Sequence, residues 1–96
     1  MKDDDLNRIC TINGDIAHRE IEGQILILRP DDNFLYTLNG SGRHIWLGIA
    51  KKKKLSSIIK SVSKEFGIPE DSARRDLMEF VKDLEAKGIL SKKGWK

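Results

Sequence analysis

The sequence predicts an α+β domain in which a three-stranded antiparallel sheet is followed by three helices. Two observations lead to this prediction. Short β-rich runs occupy the first half of the chain, and the apolar residues of the second half recur at helical spacing. The sequence contains neither an internal repeat nor a Pro- or Gly-rich linker, so we expect its 96 residues to share one core.

Three runs rich in β-branched and aromatic residues predict the strands. They cover residues 16–21, 24–28 and 33–38. Glu22-Gly23 offers a tight turn after the first run, and the stretch from Arg29 to Asn33 combines a proline with turn-forming Asp and Asn residues. Connections this short predict an antiparallel meander.

Helical periodicity begins after the third strand. The first helix follows Asn39, and the second is predicted over residues 55–66, with Gly67 as its C-terminal stop. The third helix begins near Pro69 and ends before Gly88. The apolar positions of the three helices are Ile45, Trp46, Ile49, Leu55, Ile58, Ile59, Val62, Phe66, Ala73, Leu77, Phe80 and Leu84.

Composition excludes several classes of protein. Cys10 is the only cysteine, so neither an internal disulfide nor a cysteine-based metal cage can form, which suits a reducing cytoplasm. The acidic start and the lack of a run of about 18 apolar residues predict neither a signal peptide nor a membrane span. The 18 basic residues are offset by 15 acidic ones, and the basic block at residues 51–54 is interpreted as a solvated loop.

The titratable residues form no recognisable catalytic or metal-binding pattern. His18 and His44 have no second His or Cys at metal-ligand spacing. A lone cysteine such as Cys10, in an irregular start, is more often an inert small hydrophobe than a reactive thiolate. We therefore expect a protein without catalytic activity, metal or cofactor.

A glycine-rich stretch, residues 39–42, opens the first helix. It completes neither the phosphate-binding nor the dinucleotide-binding fingerprint. We interpret it structurally: Gly42 lets the helix approach the sheet closely, while Asn39 and Ser41 cap its first N–H groups.

The stretch 38–46, Leu-Asn-Gly-Ser-Gly-Arg-His-Ile-Trp, resembles the motif of the PqqD family, in which Leu-Asn ends a strand and Ile-Trp completes the next helix. Further positions at the family's spacing are Ile58, Asp76, Phe80, Leu84 and the closing Lys87-Gly88-Ile89-Leu90. The resemblance covers about residues 15–91. It divides the chain into a loosely ordered segment (1–14), a PqqD-like domain (15–91) and a tail (92–96).

One position departs from the family pattern. At Lys54 the family often has a threonine that caps the second helix, so we expect Ser56 or Ser57 to take that role here. The early strands match the family in pattern rather than in residues, so the peptide that is recognised cannot be carried over.

The resemblance implies a winged helix-turn-helix-like domain that serves the synthesis of ribosomally made, post-translationally modified peptides. Such a domain captures the leader of a precursor peptide as an extra strand beside its third strand. It then presents the leader to a modifying enzyme, such as a radical-SAM enzyme, a protease or a cyclase. The length of this chain favours a free-standing, non-catalytic module acting in the cytoplasm.

The expected peptide site joins the third strand to the third helix. The proline-free strand edge consists of Asn33, Phe34, Leu35, Tyr36 and Thr37. On the helix, Met78 and Val81 widen the apolar seam and are expected to form the floor of a groove. The charged residues expected beside this floor are Arg74, Arg75, Lys82 and Glu85. A cationic rim would favour acidic leader residues.

Two alternatives use the same elements. A DNA-binding winged helix would place the third helix in the major groove. The segment from Glu70 to Lys87, however, contains six acidic and four basic residues, and its net charge of −2 disfavours binding to nucleic acid. An adaptor for a protein partner would differ only in its ligand. A strand edge can also pair with a second copy, which makes a homodimer a further option.

Overall fold

The structure is a computed structural model that describes residues 6–91, so the expectations for residues 1–5 and for the tail at 92–96 lie outside the described residues. Its elements are β1 (Thr11–Ile12), β2 (Ala17–Ile21), β3 (Gln24–Arg29), β4 (Phe34–Leu38), α1 (Gly40–Ala50), α2 (Leu55–Phe66), α3 (Glu70–Ala86) and β5 (Leu90–Ser91). The predicted α+β order, a three-stranded sheet followed by three helices, is confirmed. No helix in this part of the chain is long and apolar enough to cross a membrane.

The main sheet is an antiparallel meander with strand order β2-β3-β4. Glu22 and Gly23 form the two-residue turn between β2 and β3, with φ values of 51° and 80°. Positive φ at both positions is the mark of a type I′ turn, whose twist matches that of the flanking strands. Ile21 and Gln24 face each other directly across this turn, which sets the register of the hairpin.

One face of the sheet contributes to the hydrophobic core. Along β3, Ile25 and Ile27 are buried, whereas Leu26 and Leu28 point to the other face. Trp46 of α1 is fully buried, and its indole N–H donates a hydrogen bond to Nδ1 of His18 at 3.3 Å. The remaining core residues are Cys10, Ile16, Ile45, Ile49, Leu55, Ile58, Ile59, Val62, Ala73, Leu77, Val81, Leu84, Ile89 and Leu90.

Residues 6–14 are packed against the domain, in contrast to the loose segment expected there. β1 pairs with β5, and Ile9 forms a bridge with Lys54. Cys10 is buried, and Arg8 forms an ion pair with Glu85 in which the two side chains are only 7% and 8% exposed. Single residues and a two-residue strand hold this segment, which is why it lacks a detectable period.

The helix ends follow some of the predicted signals. α2 is followed by Gly67 in the left-handed conformation (φ 64°), as predicted. Asn39 is the N-cap of α1, but its side chain makes no capping hydrogen bond. The N-cap of α2 is Lys54, so the expected cap from Ser56 or Ser57 is wrong, because both serines lie inside the first turn of the helix.

Of the two α1 glycines Gly42 and Gly48, only Gly48 lies in a contact too close for a side chain. A Cβ on Gly42 would lie 3.6 Å from side-chain atoms of Leu38 and Phe80, which is an ordinary contact distance. A Cβ on Gly48 would lie 2.8 Å from Cγ1 of Ile58. The special role expected of Gly42 is therefore wrong, and Gly48 is the glycine that lets α1 and α2 pack closely.

Candidate functional site

β4 forms an edge of the sheet, since within residues 6–91 it pairs only with β3. The residues flanking a two-residue turn exchange hydrogen bonds, and bonding directions alternate along each strand from there. This alternation turns the N–H and C=O groups of Tyr36 and Leu38 toward β3. Leu35 and Thr37 therefore direct an N–H and a C=O each away from the sheet, where another strand can bind them.

Aromatic side chains lie beside this edge, on the core-facing side of the sheet. The rings of Phe34 and Tyr36 are in contact, with their centroids 4.6 Å apart, and Phe34 is 53% exposed. Side-chain atoms of Leu38 and Phe80 each lie 3.6 Å from the position of a Cβ on Gly42, which places α3 near the end of β4. An exposed aromatic ring beside free backbone groups offers both apolar contact and hydrogen bonds to an extended peptide.

Two cations flank Tyr36. The guanidinium carbon of Arg29 lies 5.7 Å from the ring centroid, and Nζ of Lys87 lies 5.9 Å from it. Arg29 also donates a hydrogen bond to the main-chain oxygen of Lys87 at 2.8 Å and pairs with Asp32, which holds the pKa of that carboxyl below its usual range. These bonds tie β3 and the turn before β4 to the end of α3.

The structure brings four of the predicted strand residues, Phe34 to Thr37, together in β4. Asn33 lies in the turn just before the strand, with a φ of 56° that asparagine tolerates better than most residues. Phe80 and Lys87 belong to the same region, although the sequence predicts Phe80 as an apolar helix position and both as family positions without assigning either to the peptide site. Met78 lies at the opposite margin of the apolar seam of α3, so sequence spacing alone does not show which margin faces β4.

The predicted residues of α3 lie away from β4. Met78 and Phe80 are about 160° apart around the helix at 3.6 residues per turn, so they point to opposite flanks. Val81 has no exposed surface and belongs to the core, which corrects its expected role as the floor of a groove. The neighbours of Met78 on its flank include Arg74, Arg75 and Lys82.

The carboxylate of Glu85 pairs with Arg8 of the N-terminal segment. The cationic rim expected around a groove is thus not formed at the β4 edge. There, Arg29 is paired with Asp32 and Lys87 with Asp83, so the local charges are largely balanced.

The described residues bring together no group of three or more His, Cys, Asp or Glu side chains suited to a metal ion. Burial raises the pKa of the Cys10 thiol. His44 Nε2 lies 2.7 Å from Oγ of Ser61 in a cleft between α1 and α2, and the His44 ring packs edge-on against Phe66.

Comparisons with known proteins agree with this architecture. The solved structure "TbiB1 in Complex with the TbiA(beta) Leader Peptide" is similar, with a TM-score of 0.81 and 21% sequence identity over 85% of this chain and 95% of that chain. This likeness shows the fold. Among curated proteins, none matches the chain. A family model described as Coenzyme PQQ synthesis protein D (PqqD) matches residues 24–90, from β3 to the start of β5, and the chain therefore belongs to the PqqD family.

Proposed function

We propose that this protein binds the leader segment of a precursor peptide by strand addition at β4 and presents it to a peptide-modifying enzyme. The observation that carries the proposal is the free edge of β4, where Leu35 and Thr37 direct their backbone groups away from the sheet. The family and the likeness to a protein that was solved with a leader peptide support it. The protein itself acts as a carrier, without catalysis of its own.

Backbone pairing alone does not account for useful affinity. Leu35 and Thr37 can form about four ladder hydrogen bonds, each contributing about 0.5–1.5 kcal/mol. Association costs about 4–15 kcal/mol in lost freedom, so apolar burial must supply most of the remainder. Covering one apolar guest side chain adds about 1.5–3 kcal/mol. Phe34, with half of its surface exposed, is the residue best placed to provide that contact.

The charges around the edge indicate the class of leader residue that fits there. Because Arg29 and Lys87 are already paired with Asp32 and Asp83, this region has little net positive charge to attract an acidic guest residue. Phe34 and Tyr36 offer a broad apolar surface instead. We infer that the leader places an apolar or aromatic side chain on these rings, rather than the acidic residue expected from the sequence.

Two substitutions decide which flank of α3 faces the leader. Phe34→Asp introduces a charge at the β4 edge, whereas Met78→Asp introduces the same charge on the opposite flank. In a titration with the leader of the precursor encoded beside the gene, Phe34→Asp should raise Kd about tenfold or more and Met78→Asp less than about twofold. The reverse order would place the leader on the Met78 flank, and no binding by the unaltered protein would contradict the proposal.

The DNA-binding alternative gains no support from the described residues. The segment Glu70–Lys87, which contains the would-be recognition helix α3, carries six acidic residues against four basic ones. Residues 51–54 form the exposed connection between α1 and α2, as expected for a solvated loop.

The partner enzyme and the cellular setting extend this proposed role. We propose a radical-SAM enzyme, a protease or a cyclase as the client, and the reducing cytoplasm as the place of action, which suits the buried thiol of Cys10. A homodimer formed through the β4 edges would use the same backbone groups as the leader. Leader binding should therefore dissociate such a dimer.

A further inference from the structure

A second apolar surface lies on the face of the sheet that points away from the core. Strand pairing places Ile21, Leu26, Leu28 and Leu35 side by side on this face, across β2, β3 and β4. Ile21, Leu28 and Leu35 are 42%, 40% and 54% exposed. We call this surface the outer sheet face. It forms a shallow depression that also includes Ala17 and Arg19.

The composition of this face is unusual for a solvent-exposed sheet. Along the strands of an antiparallel sheet, apolar residues that face the core normally alternate with polar residues that face solvent. Here, within the three described strands, Arg19 contributes the only charge among the side chains on that side. Isolated apolar side chains on a surface need no explanation, but contiguous ones mark sites of interaction.

The size of the face argues against a second copy of the chain as its occupant. Three strands about 4.8 Å apart and five residues long, at about 3.3 Å per residue, cover about 240 Å². A standard protein interface buries about 800 Å² on each partner. The outer sheet face alone is therefore too small to hold a stable dimer, and any partner that docks on it must also contact surface beside it.

A leader strand would provide part of that additional surface. Leu35 lies in β4, so a strand added to this edge extends the face to about 320 Å², with alternate leader side chains on the same side as Leu35. The other leader side chains would point to the core-facing side of the sheet, toward Phe34 and Tyr36, and would contact the domain there. The outer side is thus the side on which a third molecule can contact both the leader and the sheet.

We propose that the outer sheet face is the docking surface for the peptide-modifying enzyme and that the bound leader completes it. This inference rests on the proposed function. The matching enzyme surface is apolar, with an acidic group opposite Arg19. Because binding free energies are linked, leader and enzyme then raise each other's affinity by the same factor. The enzyme would therefore bind the complex with leader more tightly than the protein without leader.

The test uses the full chain, a synthetic leader and the purified modifying enzyme encoded beside the gene. Leu28→Lys places a charge in the centre of the face, and Phe66→Lys is the matched control, since Phe66 is 41% exposed on α2. Saturating leader should raise the affinity of the unaltered protein for the enzyme about fivefold or more. Leu28→Lys should weaken enzyme binding about tenfold, and Phe66→Lys by less than about twofold.

A second variant and the leader affinity keep the outcomes distinct. Ile21→Lys lies in β2, which is separated from the leader by two strands, and it should weaken enzyme binding without changing leader affinity. Retained leader binding shows that each variant is folded. Unchanged enzyme affinity in both lysine variants of the face, with leader still bound, overturns this inference alone. An unaltered protein that does not bind the leader overturns the proposed function as well.

Discussion

At the scale of single residues, the missing side chain of Gly48 sets the distance between α1 and α2. The position of a Cβ there is 2.8 Å from Cγ1 of Ile58, and Ile58 is almost completely buried. Displacing a buried side chain from a closely packed core is costly. The contact is therefore a requirement of the packed core.

Gly48→Ala should lower the free energy of unfolding by about 1–3 kcal/mol, because the added methyl group overpacks the contact with Ile58. Gly42→Ala is the control, since a Cβ there meets atoms only at 3.6 Å. Alanine favours a helix over glycine by about 0.5–1 kcal/mol, so the control should be neutral or stabilising. Urea unfolding of both variants checks this, and equal losses would contradict the packing described.

The Cys10 thiol offers a test of the packing of the N-terminal segment. Burial raises its pKa, so the folded protein retains the thiol proton at a pH where the unfolded chain has lost it. Stability should be fully present below the ordinary thiol pKa of about 8.5 and should fall as pH rises through the folded value.

In practice, iodoacetamide at about pH 8.5 should modify Cys10 much more slowly in the native protein than in urea. Cys10→Ala should show a smaller loss of stability between neutral and alkaline pH. Equal alkylation rates in the two states would mean that this segment does not shield the thiol.

At the scale of elements, the ion pair of Arg8 and Glu85 joins the N-terminal segment to α3. Both side chains are less than one-tenth exposed. Removing one partner of a buried pair typically costs about 3–5 kcal/mol.

Glu85→Ala should therefore destabilise the fold by about 3 kcal/mol, whereas Glu79→Ala, on the exposed side of the same helix, should change stability by less than about 0.5 kcal/mol. Thermal unfolding measures both effects. Leader affinity of the folded protein should stay unchanged in Glu85→Ala, since this carboxylate does not face β4. A loss of affinity at constant stability would instead support a role for Glu85 in leader binding.

The three strands of the main sheet and the three helices could be predicted from the sequence because each has a clear period or turn signal, as with Glu22-Gly23 and Gly67. The flank of α3 that faces β4 could not. Met78 and Phe80 both lie beside the apolar seam, and the contact of Arg29 with Lys87 joins residues far apart in the chain. The packing of the N-terminal segment could not be predicted for the same reason, since β1 pairs with β5, which lies near the other end of the chain.

At the scale of the whole molecule, the sheet offers three distinct surfaces. Its inner face packs in the core, its β4 edge exposes backbone groups, and its outer face exposes apolar side chains. Leu35 belongs to two of these surfaces, because its backbone lies at the edge and its side chain on the outer face. Our proposals assign the leader to the edge and the enzyme to the outer face, so that one strand connects both partners.

Amide hydrogen exchange along β4, with and without the leader, tests strand addition most directly. In the free protein, the amides of Leu35 and Thr37 should exchange quickly and those of Tyr36 and Leu38 slowly, because only the latter pair with β3. Bound leader should slow exchange at Leu35 and Thr37 about tenfold or more and leave Tyr36 and Leu38 nearly unchanged. A leader that binds without protecting Leu35 and Thr37 would contradict strand addition at β4.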